Sequence, residues 1–248
     1  MSTDTTLRAA IVGCGRIAGG YDQNSSPSEV RTHAKAYQLQ PMTELVAVAD
    51  LDARRAHAFS AKWNVPKHYT DFREMITKED PDIVSVCTSE ETHVAILKTC
   101  LNYPGIRAVW CEKPLADNVD DATALVKAYE SKGVVLAVNY QRRWDVEMQR
   151  IKQSIRSGEF GTIQKVVIYY TKGICHNGSH AVDLILDWLG YPDSIQSLAS
   201  HVDFLAEDPT VDAHLVFDDT HVYLLGLDEG QYSIFEIDVL GTLLRVKI

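Results

Sequence analysis

Five apolar runs without polar alternation mark the first half of the chain: residues 8–12, 45–49, 83–87, 108–111 and 134–138. Strands covered on both faces look like this, because neither side of the sheet meets water. Each run stops at polar or turn-forming residues: Gly13 with Cys14 and Gly15, Asp50, Thr88 with Ser89, Glu112 with Lys113, and Asn139 with Tyr140. Between them, residues 52–63, 92–101 and 117–132 carry helical patterning. The third of these helices has an Asx-type cap at Asp117 or Asn118 and a closing glycine at Gly133. Strand and helix in alternation predict a parallel, doubly wound α/β sheet, and parallel strands bring all those polar ends to one sheet edge. Residues 24–31 break the rhythm with a polar, turn-forming segment, expected as a mobile insertion or a plain surface loop.

The pattern changes after Gln141. Residues 145–156 predict one helix closed by Gly158, and residues 179–189 a second that stops at Gly190. Around them lie β-rich runs over 163–171, 195–205, 213–217, 221–227, 232–240 and 243–248. Short Asp- and Gly-containing turns separate several of them, which favours antiparallel hairpins. The expected organisation is a dinucleotide-binding Rossmann domain over 1–140. An α+β domain with an open, mainly antiparallel sheet follows over 141–248.

Composition narrows the function classes. The 248 residues hold 46% apolar and 23% charged residues, ordinary for a globular protein. A net charge of −10, spread along the chain, argues against a nucleic-acid surface, which needs a basic stripe. No stretch reads as a membrane span, and the polar first residues lack the apolar core of a secretory signal. Five cysteines without metal-ligand spacing read as reduced thiols, with Cys87 and Cys111 packed in strands, so the expected compartment is the cytoplasm.

Candidate chemistry collects at the strand ends. Gly13-Cys14-Gly15-Arg16-Ile17-Ala18 follows a strand, is expected to open a helix, and matches the dinucleotide motif with Ala18 at the third glycine position. Asp50 ends the second strand, where an acid can hold both ribose hydroxyls of NAD and repel the 2′-phosphate of NADP. Arg54 and Arg55 keep NADP open as the second choice, or else cover the helix surface. Thr88, Ser89, His93, Glu112 and Lys113 stand on the same edge and complete the expected cofactor set. Lys113 is the candidate for proton chemistry, since a partly desolvated ammonium loses its proton more readily. Glu112 should point the other way.

His180 and Asp183 share a helix face, and His176 precedes it. Asp183 would orient His180 or hold a substrate hydroxyl. Asn177 or Ser179 would cap the helix or, with Asn139, Tyr140 and Arg143, line the substrate site. His33 and His93, taken singly, suit helix capping or surface positions. With no third ligand at metal spacing, no metal is expected.

Together, Gly13 to Ala18, Glu112-Lys113-Pro114, Asn139 with Arg143, and His180 with Asp183 resemble the glucose–fructose oxidoreductase, or Gfo/Idh/MocA, family. The match runs through nearly the whole chain in order. The resemblance implies NAD(P)-dependent oxidation or reduction of a sugar, cyclitol or related polyol. It implies Lys113 as a proton-relay or substrate-hydroxyl residue, His180 as acid/base with His176 as the rival, and a cis Lys113–Pro114 peptide. It also implies a homodimer or homotetramer through the C-terminal sheet. Alternatives are an NAD-dependent glycosidase of the same family and a non-catalytic dinucleotide-binding regulator. Two departures stand out: His176 replaces the usual aspartate four residues before the histidine, and the chain stops at residue 248, implying a shortened second domain.

Overall fold

The computed structural model describes residues 6–23 and 29–248. The chain divides into two compact units, Met1–Asn139 and Tyr140–Ile248. Residues 24–28 of the expected insertion lie outside the described residues.

The first unit is a six-stranded sheet in the order β3-β2-β1-β4-β5-β6, made of β1 (Leu7–Val12), β2 (Thr43–Ala49), β3 (Lys67–Tyr69), β4 (Ile83–Val86), β5 (Ala108–Cys111) and β6 (Val135–Val138). Every pairing is parallel. Alternation along β1 explains why its run is continuously apolar. Ala9 and Ile11 pack on one face with Val48, Phe59 and Trp63, while Ala10 and Val12 pack on the other with Val84, Leu97 and Val109. The helices on these faces are α1 (His33–Leu39), α2 (Ala53–Trp63), α3 (Phe72–Glu79), α4 (His93–Cys100) and α5 (Val119–Lys132). Asp52, Asp71 and Asn118 cap α2, α3 and α5 by accepting backbone N–H groups two or three residues on. Gly133 closes α5 in the left-handed region.

Three elements have no counterpart in the sequence pattern. β3 is three residues of polar, edge-strand sequence, and α1 and α3 are helices of two turns. The glycine turn also differs from expectation. It opens a five-residue π-turn, Arg16–Gly20, in which Tyr21 N–H reaches back to Arg16 O, followed by one 3₁₀ turn, Tyr21–Gln23. A π-turn holds one more residue than an α-turn. Within it Gly19 is the tight point, where an added methyl would sit 2.3 Å from Trp63 Nε1. Ala18 is fully buried in the core beside it.

The second unit is also built on six strands, in the order β12-β11-β7-β10-β9-β8. They are β7 (Ile163–Tyr170), β8 (Ser194–Leu205), β9 (Asp208–Phe217), β10 (Thr220–Gly226), β11 (Phe235–Gly241) and β12 (Arg245–Lys247). β7 and β10 run parallel and every other pairing is antiparallel. β11 starts at Phe235, later than the run over 232–240 suggests, because residues 228–231 turn on the Asp228 carboxylate. α6 (Val146–Ser157) and α7 (Ser179–Leu189) contribute Ile151, Leu184, Ile185 and Trp188 to a core shared with Val166, Ile168, Leu215, Val222, Leu224 and Val239.

Candidate functional site

At the carboxyl ends of β1, β2 and β4 a cleft of about 670 Å³ opens, lined by Gly13, Gly15, Asp50, Arg55, Thr88 and Ser89 among others. Gly13 lies at φ +92°, and a methyl there would stand 2.7 Å from Cys87 O, so only glycine fits. Among the described residues nothing lies within 4 Å of a methyl built on Gly15, so its backbone is bare on that side. The Asp50 carboxylate accepts N–H groups from Cys14 and Asp52, both at 2.9 Å, and pairs with Arg55 at 3.3 Å. A carboxylate has about four acceptor positions; the amides take one on each oxygen and Arg55 Nη1 spans the other two at 3.4 and 3.3 Å, so a ribose hydroxyl would replace part of the exposed Arg55 contact. Thr92 Oγ1 is 2.7 Å from both Thr88 Oγ1 and Ser89 O, fixing the β4 end of the cleft. Arg16 is exposed, whereas Ile17 and Ala18 pack into the core. A bare glycine backbone beside a nearly buried acid fits the pyrophosphate and ribose of a dinucleotide.

The next strand end holds Glu112, Lys113 and Pro114, with a cis peptide between the last two. Glu112 Oε1 receives His33 Nε2 at 2.8 Å and Asn139 Nδ2 at 2.6 Å. Behind it, His33 Nδ1 meets Ser85 Oγ at 2.9 Å, and Tyr37 OH meets the same oxygen at 2.7 Å. Burial pushes the Tyr37 phenol up, so it keeps its proton. The donors then order themselves: Tyr37 to Ser85, Ser85 to His33 Nδ1, and His33 Nε2 to Glu112. His33 is thus a buried residue packed at a tilt against Trp110, neither surface nor cap; Thr32 supplies the α1 cap. Asn139 spends its amide on Glu112. His93 corrects the same expectation, being 1% exposed with Nδ1 2.7 Å from Pro114 O and Nε2 3.1 Å from Thr88 O.

In the second unit a π-turn, Gly173–Gly178, leads straight into α7 and carries His176 and Asn177. No side chain caps α7, because Gly178 already has helical backbone angles and continues the turn into the helix. Asn177 and Ser179 are therefore not caps. The turn is gripped by the β8–β9 hairpin. Asp208, 93% buried, accepts N–H groups from Cys175 and His176, each at 2.8 Å. Thr210 Oγ1 takes the Gly173 N–H at 2.7 Å and donates to Asp203, which also accepts the Lys172 N–H at 2.9 Å. His176 lies against the Phe204 ring, and the His180 ring stands edge-on to Tyr140 with centroids 5.6 Å apart.

Asp183 is paired with Arg143 through one edge of the guanidinium, Nε at 3.0 Å and Nη2 beside it. Arg143 also faces Asp187 at 3.6 Å, and Lys152 holds Asp187 at 2.6 Å. Asp187, Lys152, Asp203, Asp208 and Thr210 escaped the sequence reading; Asp208 and Thr210 follow their loop partners by more than 30 positions, and no local motif marks such a link.

Burial pushes the Cys14 thiol up to about 12, with a smaller push from Asp50. Cys100 rises likewise to about 12, and Cys87 and Cys111 rise with burial as well. None is an activated nucleophile. Among the described residues no three His, Cys, Asp or Glu side chains group as a metal site, and no helix is long and apolar enough to cross a membrane.

A family model described as an oxidoreductase family with an NAD-binding Rossmann fold matches residues 7–140. D-apiose dehydrogenase of Paraburkholderia graminis is 29% identical over 164 residues, 65% of this chain and 40% of the relative. Inositol 2-dehydrogenase of Salmonella typhimurium is 32% identical over 158 residues, 63% of this chain and 43% of the relative. The match thus spans about two fifths of these relatives' length. Among solved structures, a probable dehydrogenase from Thermotoga maritima superposes with TM-score 0.82 at 23% identity, covering 97% of this chain and 75% of its own. A scyllo-inositol dehydrogenase from Lactobacillus casei, solved with NAD(H) and scyllo-inositol, gives 0.78 at 18%, covering 98% and 76%. At such identities the likeness is one of fold.

Proposed function

Because the chain belongs to the Gfo/Idh/MocA oxidoreductase family, whose model spans residues 7–140 of its 248, we propose that it is an NAD-dependent dehydrogenase of a sugar, cyclitol or related polyol. The observation that carries this reading is the strand-end cleft, with bare backbone at Gly15 and a nearly buried carboxylate at Asp50. Bound there, NAD supplies the hydride acceptor. Gly13 and Gly15 would admit its pyrophosphate, Asp50 its ribose hydroxyls, and Thr88 and Ser89 would border it. Arg55, already paired with Asp50, is engaged by the acid that disfavours a 2′-phosphate.

In this reading Lys113 Nζ takes or returns the substrate hydroxyl proton, and His180 is the acid/base residue with His176 as the rival. Tyr140 and Asn177 recognise hydroxyls. Arg143 and Asp183 neutralise each other and serve as framework. Residues 1–140 form the nucleotide domain and 141–248 the substrate domain, whose sheet joins copies into a homodimer or homotetramer in the cytoplasm. Similarity to the D-apiose and inositol dehydrogenases named above supports the polyol class.

Calorimetry with NAD, followed by NADH formation on myo-inositol, scyllo-inositol and D-apiose, tests the reading. Lys113→Ala should bind NAD within about twofold of wild type yet lose about 10²-fold or more in turnover. Normal turnover in that variant removes Lys113 from the chemistry. NAD binding with no turnover of any polyol by wild type points to the non-catalytic alternative.

A further inference from the structure

His93 opens α4, yet its side chain is buried and turned between two loops. One ring nitrogen faces the carbonyl of Pro114, at the end of the Lys113-bearing turn, and the other faces the carbonyl of Thr88, on the wall of the cleft. Both partners are backbone carbonyl oxygens, which only accept hydrogen bonds. A neutral imidazole has one N–H and satisfies one of them, and the shorter contact, 2.7 Å from Nδ1 to the Pro114 oxygen against 3.1 Å from Nε2 to the Thr88 oxygen, marks the Pro114 carbonyl as its acceptor.

We propose that His93 is a positioning residue: buried against Thr88, it donates from Nδ1 to the Pro114 carbonyl and so fixes the Lys113–Pro114 turn beside the rim of the cofactor cleft. Its action on turnover rests on the reading of Lys113 given above; the bond from Nδ1 to Pro114 does not. The ring is 1% exposed and is not among the residues that line the cleft. The nearest comparable brace is on the other side of the same turn, where His33 and Asn139 hold Glu112. Lys113 thus sits between two anchored neighbours, and a group held on both sides keeps its aim. Loosening a reacting group by about 1 Å can cost on the order of 10²-fold in rate.

Three substitutions separate the two bonds. The amide nitrogen of His93→Asn lies at the Nδ1 position and can still serve Pro114. That of His93→Gln lies at the Nε2 position and can serve Thr88. His93→Phe keeps a ring and serves neither. With NAD and the polyol that wild type oxidises fastest among the three named above, kcat should fall about 10²-fold in the Phe and Gln variants. The Asn variant should stay within about tenfold of wild type. KM for the polyol and calorimetric NAD affinity should hold within about threefold throughout. Equal losses in all three variants, or NAD affinity falling in step with kcat, overturn the assignment. Nitrogen-15 spectra of the wild-type imidazoles keep the test decisive even if a variant does not fold or no polyol is turned over. Nδ1 of His93 should carry the ring proton, and a bare Nδ1 refutes the tie to Pro114. Absence of wild-type turnover counts against the polyol reading alone.

Discussion

At Gly19 the backbone of the π-turn passes so close to α2 that a methyl would stand 2.3 Å from Trp63 Nε1 and 2.6 Å from a Phe59 ring carbon. Both rings are buried in the same core, so neither can swing into solvent. Gly19→Ala should therefore lower stability by about 1–3 kcal/mol, an overpacking cost, read as a lower denaturant midpoint. An unchanged midpoint would mean that the turn relaxes freely and that its packing on α2 is unimportant. Among single residues, Gly13 and Asp50 were legible in the sequence, because a strand end followed by a tight turn leaves few other ways to use a glycine and an acid. Gly19 was not, since the rings it packs against, Phe59 and Trp63, come from α2 much later in the chain, and no local motif marks such a contact. His33 and His93 were misjudged for a related reason. A histidine following a loop looks solvated until the strands around it are assembled.

Elements show the same division. β1, β2, β4 and β5 were legible because helices cover both sheet faces and forbid polar alternation, whereas β6, an edge strand with Val135 and Ala137 exposed, was legible from its apolar run alone. β3 was invisible because an edge strand of three residues need not be apolar. The grip of the β8–β9 hairpin on the π-turn has a pH signature. Burial pushes the Asp203 carboxyl up, but the Lys172 N–H, the Thr210 hydroxyl and the Glu229 N–H outweigh it and hold the group below its usual range. A carboxyl depressed by folding adds stability that is complete well above about pH 4, the unfolded value, and drains as pH falls through the folded value. Wild type should exceed Asp203→Asn by about 1–2 kcal/mol in urea unfolding at pH 7. That gap should narrow at pH 3, and a gap independent of pH contradicts the assignment.

For the whole molecule, three hydrophobic clusters underlie the two units, one on each face of the first unit's sheet and one in the second unit. A ligand that binds only the folded first unit stabilises it by about 2.7 kcal/mol at one hundred times its Kd. Hydrogen exchange with saturating NAD should slow at residues 13–20, 50–55 and 88–92, around the cleft. Protection centred on residues 208–226 instead would move the nucleotide site. The order of units was plain in the sequence, since uninterrupted apolar strands give way to runs spaced by hairpin turns. The ties that arm the second unit were not, because Asp208 holds His176 across 32 residues and Thr210 holds Gly173 across 37. That separation also sets a sequence of events in time. Forming a hairpin, on the order of 1–10 μs, is slow beside the winding of a helix, on the order of 0.1–1 μs. The amides of the π-turn have no Asp208 or Thr210 to bind until the β8–β9 hairpin has closed. α7 can wind early, but its histidine-bearing approach takes shape only when chain made thirty residues later comes back to meet it.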